Sequence, residues 1–139
     1  MMKLTHIFAF IFVFGAISSM NEENAINFKL SLNCSNELMR ISIKPTQEFH
    51  GFIYTKGNFK NKEKKCFVDA EKHPKNKTYE LEIPVHDCKT KKSGKLFSNT
   101  VIVQHDRDFI TSKDVAFKLI CDLQKKHTLN LKTKLKNGT

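Results

Sequence analysis

The sequence predicts an all-β fold, two sheets packed as a sandwich and tied by two disulfides, and three observations predict it. Short runs of alternating apolar and polar residues recur along the chain, and the stretches between them are rich in Lys, Asn, Gly and Pro. Four cysteines are spread over the chain with no Cys-x-x-Cys pair. No heptad, internal repeat or long helical period interrupts this pattern.

Residues 1–18 stand apart from the fold. Met1, Met2 and Lys3 make a short positive start, and an apolar run of 11 residues spans positions 7–17. A membrane-spanning helix needs about 20 apolar residues, so this run reads as a secretory leader and not as an anchor. Ala16 and Ser18 are the small residues a signal peptidase reads, so cleavage is expected after Ser18 or Ser19. The mature chain is then extracellular, has no membrane span, and begins with a lead-in at 19–27.

The domain itself is expected at 28–123. Phe28, Leu30 and Leu32 alternate with Lys29, Ser31 and Asn33, and Met39, Ile41 and Ile43 alternate with Arg40 and Ser42. Each set is a half-buried strand, since side chains change face at every residue. Pro45 ends the second because it has no N–H to give a ladder. A third strand covers 51–55 and stops near Gly57, and a short one covers 66–68. Tyr79, Leu81 and Ile83 alternate with glutamates before Pro84, and 91–94 reads as a turn. Strands at 100–104 and 115–121 complete the set, the last placing Phe117, Leu119 and Cys121 on one face. Seven or so short strands at this spacing fit a two-sheet sandwich. Residues 124–139 are lysine-rich, lack acidic side chains and hold three leucines, which reads as a basic flexible tail.

A domain of this size gains from covalent help. In an exported chain Cys34, Cys66, Cys88 and Cys121 form two disulfides in preference to a zinc or redox site, and three pairings are open. Three Asn-x-Ser/Thr sequons, at Asn33, Asn76 and Asn137, can accept glycans, with Asn76 in the most loop-like setting.

Charge is the other global signal, with 24 Lys plus Arg against 14 Asp plus Glu and a net +10. The lysines fall in loops (among them Lys56, Lys60, Lys62, Lys64 and Lys65, then Lys89, Lys91, Lys92 and Lys95) and in the tail. They either attract acidic glycans or solvate loops and suppress edge-to-edge pairing. No aromatics are interleaved with them, so a nucleic-acid partner is not expected.

Catalysis finds little support. His86, Asp87 and Cys88 are triad residue types, but neighbours on a strand point to opposite faces, and a disulfide-bonded Cys88 has no thiolate. The histidines at 50, 73, 86, 105 and 127 lack ligand spacing, so neither metal nor cofactor is expected.

The order of motifs carries a family likeness. Cys34 is followed by Glu48-Phe49-His50-Gly51-Phe52-Ile53-Tyr54 with Gly57, then Cys66, then Ile83-Pro84-Val85-His86-Asp87-Cys88-Lys89-Thr90. Ser98-Asn99-Thr100-Val101-Ile102-Val103-Gln104 then runs through Asp114-Val115-Ala116-Phe117 to Cys121. This resembles the N-terminal half of a zona pellucida (ZP) module, the ZP-N domain, most like that of invertebrate cuticlin-type proteins. The resemblance implies an immunoglobulin-like sandwich with Cys34 bonded to Cys121 and Cys66 to Cys88. It also implies assembly into extracellular matrix or cuticle, with other ZP-type proteins or a second copy as partner. No second cysteine-rich half follows in these residues, so a lone ZP-N unit is expected.

Thr100, Val101, Ile102, Val103 and Gln104 form the candidate assembly strand. The run has high β-propensity, no charge and no Pro, and Lys95 and Asp106-Arg107-Asp108 flank it as gatekeepers. It is either an interior strand or an edge that pairs with another chain by strand addition. The expected function is a secreted matrix assembly module acting through such association. The alternative is a small basic polyanion-binding protein on the same scaffold.

Overall fold

The computed structural model describes residues 28–73, 78–123 and 128–134, the last by backbone path. These residues form nine strands: β1 (Phe28–Cys34), β2 (Leu38–Pro45), β3 (Phe52–Thr55), β4 (Phe67–Asp69), β5 (Tyr79–Pro84), β6 (Lys91–Ser93), β7 (Leu96–Gln104), β8 (Val115–Asp122) and β9 (Thr128–Lys134). A single 3₁₀ turn, Ala70–Lys72, follows β4. No described helix is long and apolar enough to cross a membrane.

Two antiparallel sheets pack face to face. One has the order β1-β2-β5; the other runs β4-β3-β7-β8-β9, with β6 paired to the start of β7. The alternation read from the sequence sets the core. Leu32, Met39, Ile41, Ile43, Tyr79, Leu81 and Ile83 come from the smaller sheet, and Ile53, Val101, Val103, Phe117 and Leu119 from the larger. Met39, Ile83, Ile53, Val101, Val103 and Leu119 have no exposed surface, and burial of such a side chain stabilises by about 1.5–3 kcal/mol. The polar partners stay wet: Arg40 on β2 donates to Glu82 directly opposite on β5.

Two disulfides clamp the sandwich. Cys34 at the end of β1 bonds Cys121 on β8, with Cα atoms 5.8 Å apart, and Cys66 bonds Cys88, with Cα atoms 5.5 Å apart. The all-β, two-disulfide, immunoglobulin-like expectation is met.

The outer face of the larger sheet is also sealed. Phe52, Tyr54, Phe67, Ile102 and Ala116 form a second apolar cluster, and Phe59 from the β3–β4 loop packs on it. The Lys62 ammonium caps it 5.6 Å from the Phe52 ring centroid. Gly51 is required for this layer to close, because a Cβ there would stand 1.8 Å from the Gln104 carbonyl oxygen.

Two expectations are corrected and one open alternative is resolved. The turn placed at 91–94 is partly strand β6, since Lys91, Lys92 and Ser93 pair with Ser98, Phe97 and Leu96 across Gly94. The tail drawn at 124–139 contains β9, aligned with β8 from Cys121↔Thr128 to Val115↔Lys134. Extra backbone pairing along β8 outweighs the segment's thin apolar content. The candidate assembly strand is no edge: the 100–104 stretch lies in β7, paired with β3 on one side and β8 on the other. Its β-branched run fits that position, because both of its faces are covered.

Candidate functional site

The feature of the fold that faces outward with an order of its own is the loop joining β7 to β8, residues 105–114. Asp114 anchors it. Its carboxylate is fully buried and accepts from the His105 and Thr111 amides, both at 2.7 Å, and lies 3.2 Å from His105 Nδ1. One side chain thereby closes both ends of the loop.

The tip is ordered by its own residues. Asp106 Oδ1 accepts from the Asp108 amide at 2.8 Å and the Phe109 amide at 2.9 Å, an Asx-type turn. These two amides hold the Asp106 carboxyl below the usual carboxylate range, because they bond its charged form. Gln104 ties the turn to the sheet, accepting from Tyr54 OH and donating to the Asp106 carbonyl, each at 2.8 Å. Burial, with a smaller contribution from the charge of Asp114, raises the Tyr54 phenol above its ordinary value.

Arg107 fastens the loop sideways. Its two terminal nitrogens grip both oxygens of Asp69 at 2.8 and 3.1 Å, and Nη1 also donates to the His50 carbonyl at 2.9 Å. Its hydrogen bond holds the Asp69 carboxyl below the ordinary range, against partial burial. Asp106 and Arg107, read from the sequence as gatekeepers, are therefore structural parts of the loop.

This scaffold presents two adjacent large apolar side chains to solvent, Phe109 at 71% and Ile110 at 57% exposure. A loop that is pinned at its base, tip and flank while exposing Phe-Ile is preorganised for contact, since little ordering entropy is left to lose on binding. Sequence reasoning missed the pair. The available signal was an apolar dipeptide inside a polar inter-strand segment.

The other expected site residues are distributed as follows. Asn33 lies exposed on β1, and Asn76 and Asn137 lie outside the described residues, as do the leader and lead-in at 1–27. Cys66, Asp87 and Cys88 come together within 4.8 Å, but both sulfurs belong to one disulfide, leaving a single carboxylate that pairs with Lys65. His86 packs edge-on against Phe97, while Asp87 pairs with Lys65.

A family model described as the cuticlin N-terminal domain matches residues 29–123. No curated protein and no solved structure matches the chain. The match covers the sandwich through β8 and includes both disulfides, and so the chain belongs to the cuticlin N-terminal domain family, a family of cuticle and extracellular-matrix components.

Proposed function

We propose that this chain is a secreted assembly unit of a cuticle-type matrix, and that it associates through the β7–β8 loop with another ZP-type protein or with a second copy of itself. The observation that carries this reading is the exposed Phe109–Ile110 pair held on a loop pinned by Asp114, Asp106 and Arg107. Hot spots of association are aromatic and aliphatic side chains on rigid supports, and this pair has that character.

Strand addition is the second part of the proposal, and it moves from β7 to an outer edge. Among the described residues β1 and β9 each pair on one side only and offer seven residues, more than the edge strands β4, β5 and β6. Export through the 1–18 leader and glycans at Asn33, Asn76 or Asn137 belong to the same reading.

Sedimentation velocity of the secreted chain, alone and mixed with a full ZP-type cuticle protein, tests it. Association that disappears in the F109S/I110S variant, with an unchanged melting temperature, supports the loop. Association that is indifferent to both substitutions removes it from the interface.

A further inference from the structure

Four lysines from three separate stretches of the chain, Lys56, the pair Lys89 and Lys91, and Lys118, meet on the larger sheet beside the first half of β7. Register brings them together. Thr100 pairs with Lys118 on β8, and on its other side the Thr100 carbonyl accepts from the Lys56 amide at 2.8 Å, just past β3. Ser98 pairs with Lys91 on β6. β3 and β6 share one side of β7 and leave a gap between them at Asn99 and Thr100. Lys89 enters over that gap.

Lys89 is placed there by a built turn. Cys88 and Lys89 have φ of 50° and 59°, a left-handed pair that a non-glycine residue adopts at a cost of about 1 kcal/mol or more each. Buried Asn99 holds the turn, donating from Nδ2 to the Cys88 carbonyl and to Thr90 Oγ1, both at 3.0 Å. Gly57 leaves room for the lysine stem, since a Cβ there would stand 2.9 Å from Lys89 Nζ.

The result is a cleft of about 410 Å³ lined by Lys56, Lys89, Lys91 and Lys118 with Ser98 and Thr100 between them. No acidic side chain lines it, and none of the four lysines is ion-paired among the described residues. Clustered like charges repel one another unless an anion is shared between them.

We propose that this cleft binds a sulfated glycan. Lysine ammoniums are compact point charges suited to sulfate oxygens spaced along a flexible chain, and the Ser98 and Thr100 hydroxyls add donors. No aromatic side chain lines the cleft to stack a base, which sets nucleic acid aside. The site lies apart from Phe109 and Ile110, so one chain engages a protein and a glycan at different surfaces.

The test is titration of the full secreted chain with a heparin-derived octasaccharide at several salt concentrations. Four proteins are compared: wild type, K89Q/K118Q in the cleft, K29Q/K44Q on the opposite sheet with the same loss of charge, and K89G. The cleft pair is expected to weaken binding about tenfold and to lower the slope of log Kd against log salt by about two, one per lysine removed. The opposite pair is expected to leave both nearly unchanged. K89G is expected to weaken binding while melting no lower than wild type, because glycine accepts the left-handed turn, so the loss is not unfolding. Equal losses in the two charge-matched pairs, absence of binding, or equally tight binding of single-stranded DNA overturns the proposal.

Discussion

Arg107 stands over the face of Phe52, its guanidinium carbon 4.2 Å from the ring centroid, while its nitrogens grip Asp69. The residue that fastens the exposed loop thereby stands on the apolar layer of the outer sheet. Removing it by Arg107→Ala is expected to cost about 1–2 kcal/mol, since the pair is partly exposed and combines a bidentate ion pair with a cation–π contact. Arg107→Lys restores little of this, because one ammonium cannot reproduce the two-pronged grip on both Asp69 oxygens. Urea denaturation gives the stability loss, and faster amide exchange at Asp108 and Phe109 shows the loop released.

Acid sensitivity follows from three carboxyls. Asp69, Asp87 and Asp106 are all held below their ordinary value of 3.8, so the unfolded chain takes up their protons first as pH falls. The stability they contribute is complete above the ordinary value and is lost as pH drops through the folded values. Melting temperature is expected to hold between about pH 7 and 5 and to fall below about pH 4. Asp69→Asn flattens that fall; an unchanged acid limb in Asp69→Asn excludes the Arg107 pair as a source.

Asp114 is the harder loss. Asp114→Ala removes the acceptor from two part-buried backbone amides, and leaving such donors unsatisfied makes this worth about 2–3 kcal/mol. Asp114→Asn keeps an oxygen for one of them and is expected to fall between. Equilibrium denaturation ranks the three proteins.

The disulfides differ in what they close. Cys34–Cys121 spans 87 residues and Cys66–Cys88 spans 22, which the chain-entropy relation converts to about 4.6 and 3.4 kcal/mol. The C34S/C121S protein is therefore expected to be the less stable of the two double variants. Non-reducing peptide maps identify the remaining bond in each.

Ile102 distinguishes an interior strand from an assembly edge. It is 8% exposed beneath the Phe52, Tyr54 and Phe67 cluster, so Ile102→Asp is expected to cost about 3 kcal/mol or more through a buried, unpaired charge. A folded Ile102→Asp protein that merely fails to associate places the interface on β7 and contradicts this topology.

Much of the scaffold was legible locally. Leu30, Leu32, Met39, Ile41, Ile43, Tyr79, Leu81 and Ile83 announce their faces by a period of two, and Pro45 marks the end of β2. The site was less legible. Asp106 and Arg107 look like loop charges until Phe109, Asp69 and Phe52 are known to be their neighbours. β9 was missed although Leu129 and Leu131 alternate with Thr128, Asn130 and Lys132, because two leucines make a short run and the strand's pairing comes from β8.

By itself the amino-acid sequence determined the strands, the inward faces, the need for two crosslinks and, through its motif order, the family. These depend on residue spacing and on cysteine chemistry, which act at short range or by count. Tertiary structure decided which strands are interior, which loop is pinned with Phe109 and Ile110 outward, and that Lys56, Lys89, Lys91 and Lys118 share one cleft. Those outcomes rest on register between strands far apart in the chain. Alternation states which face a residue takes, but only pairing states what stands beside it.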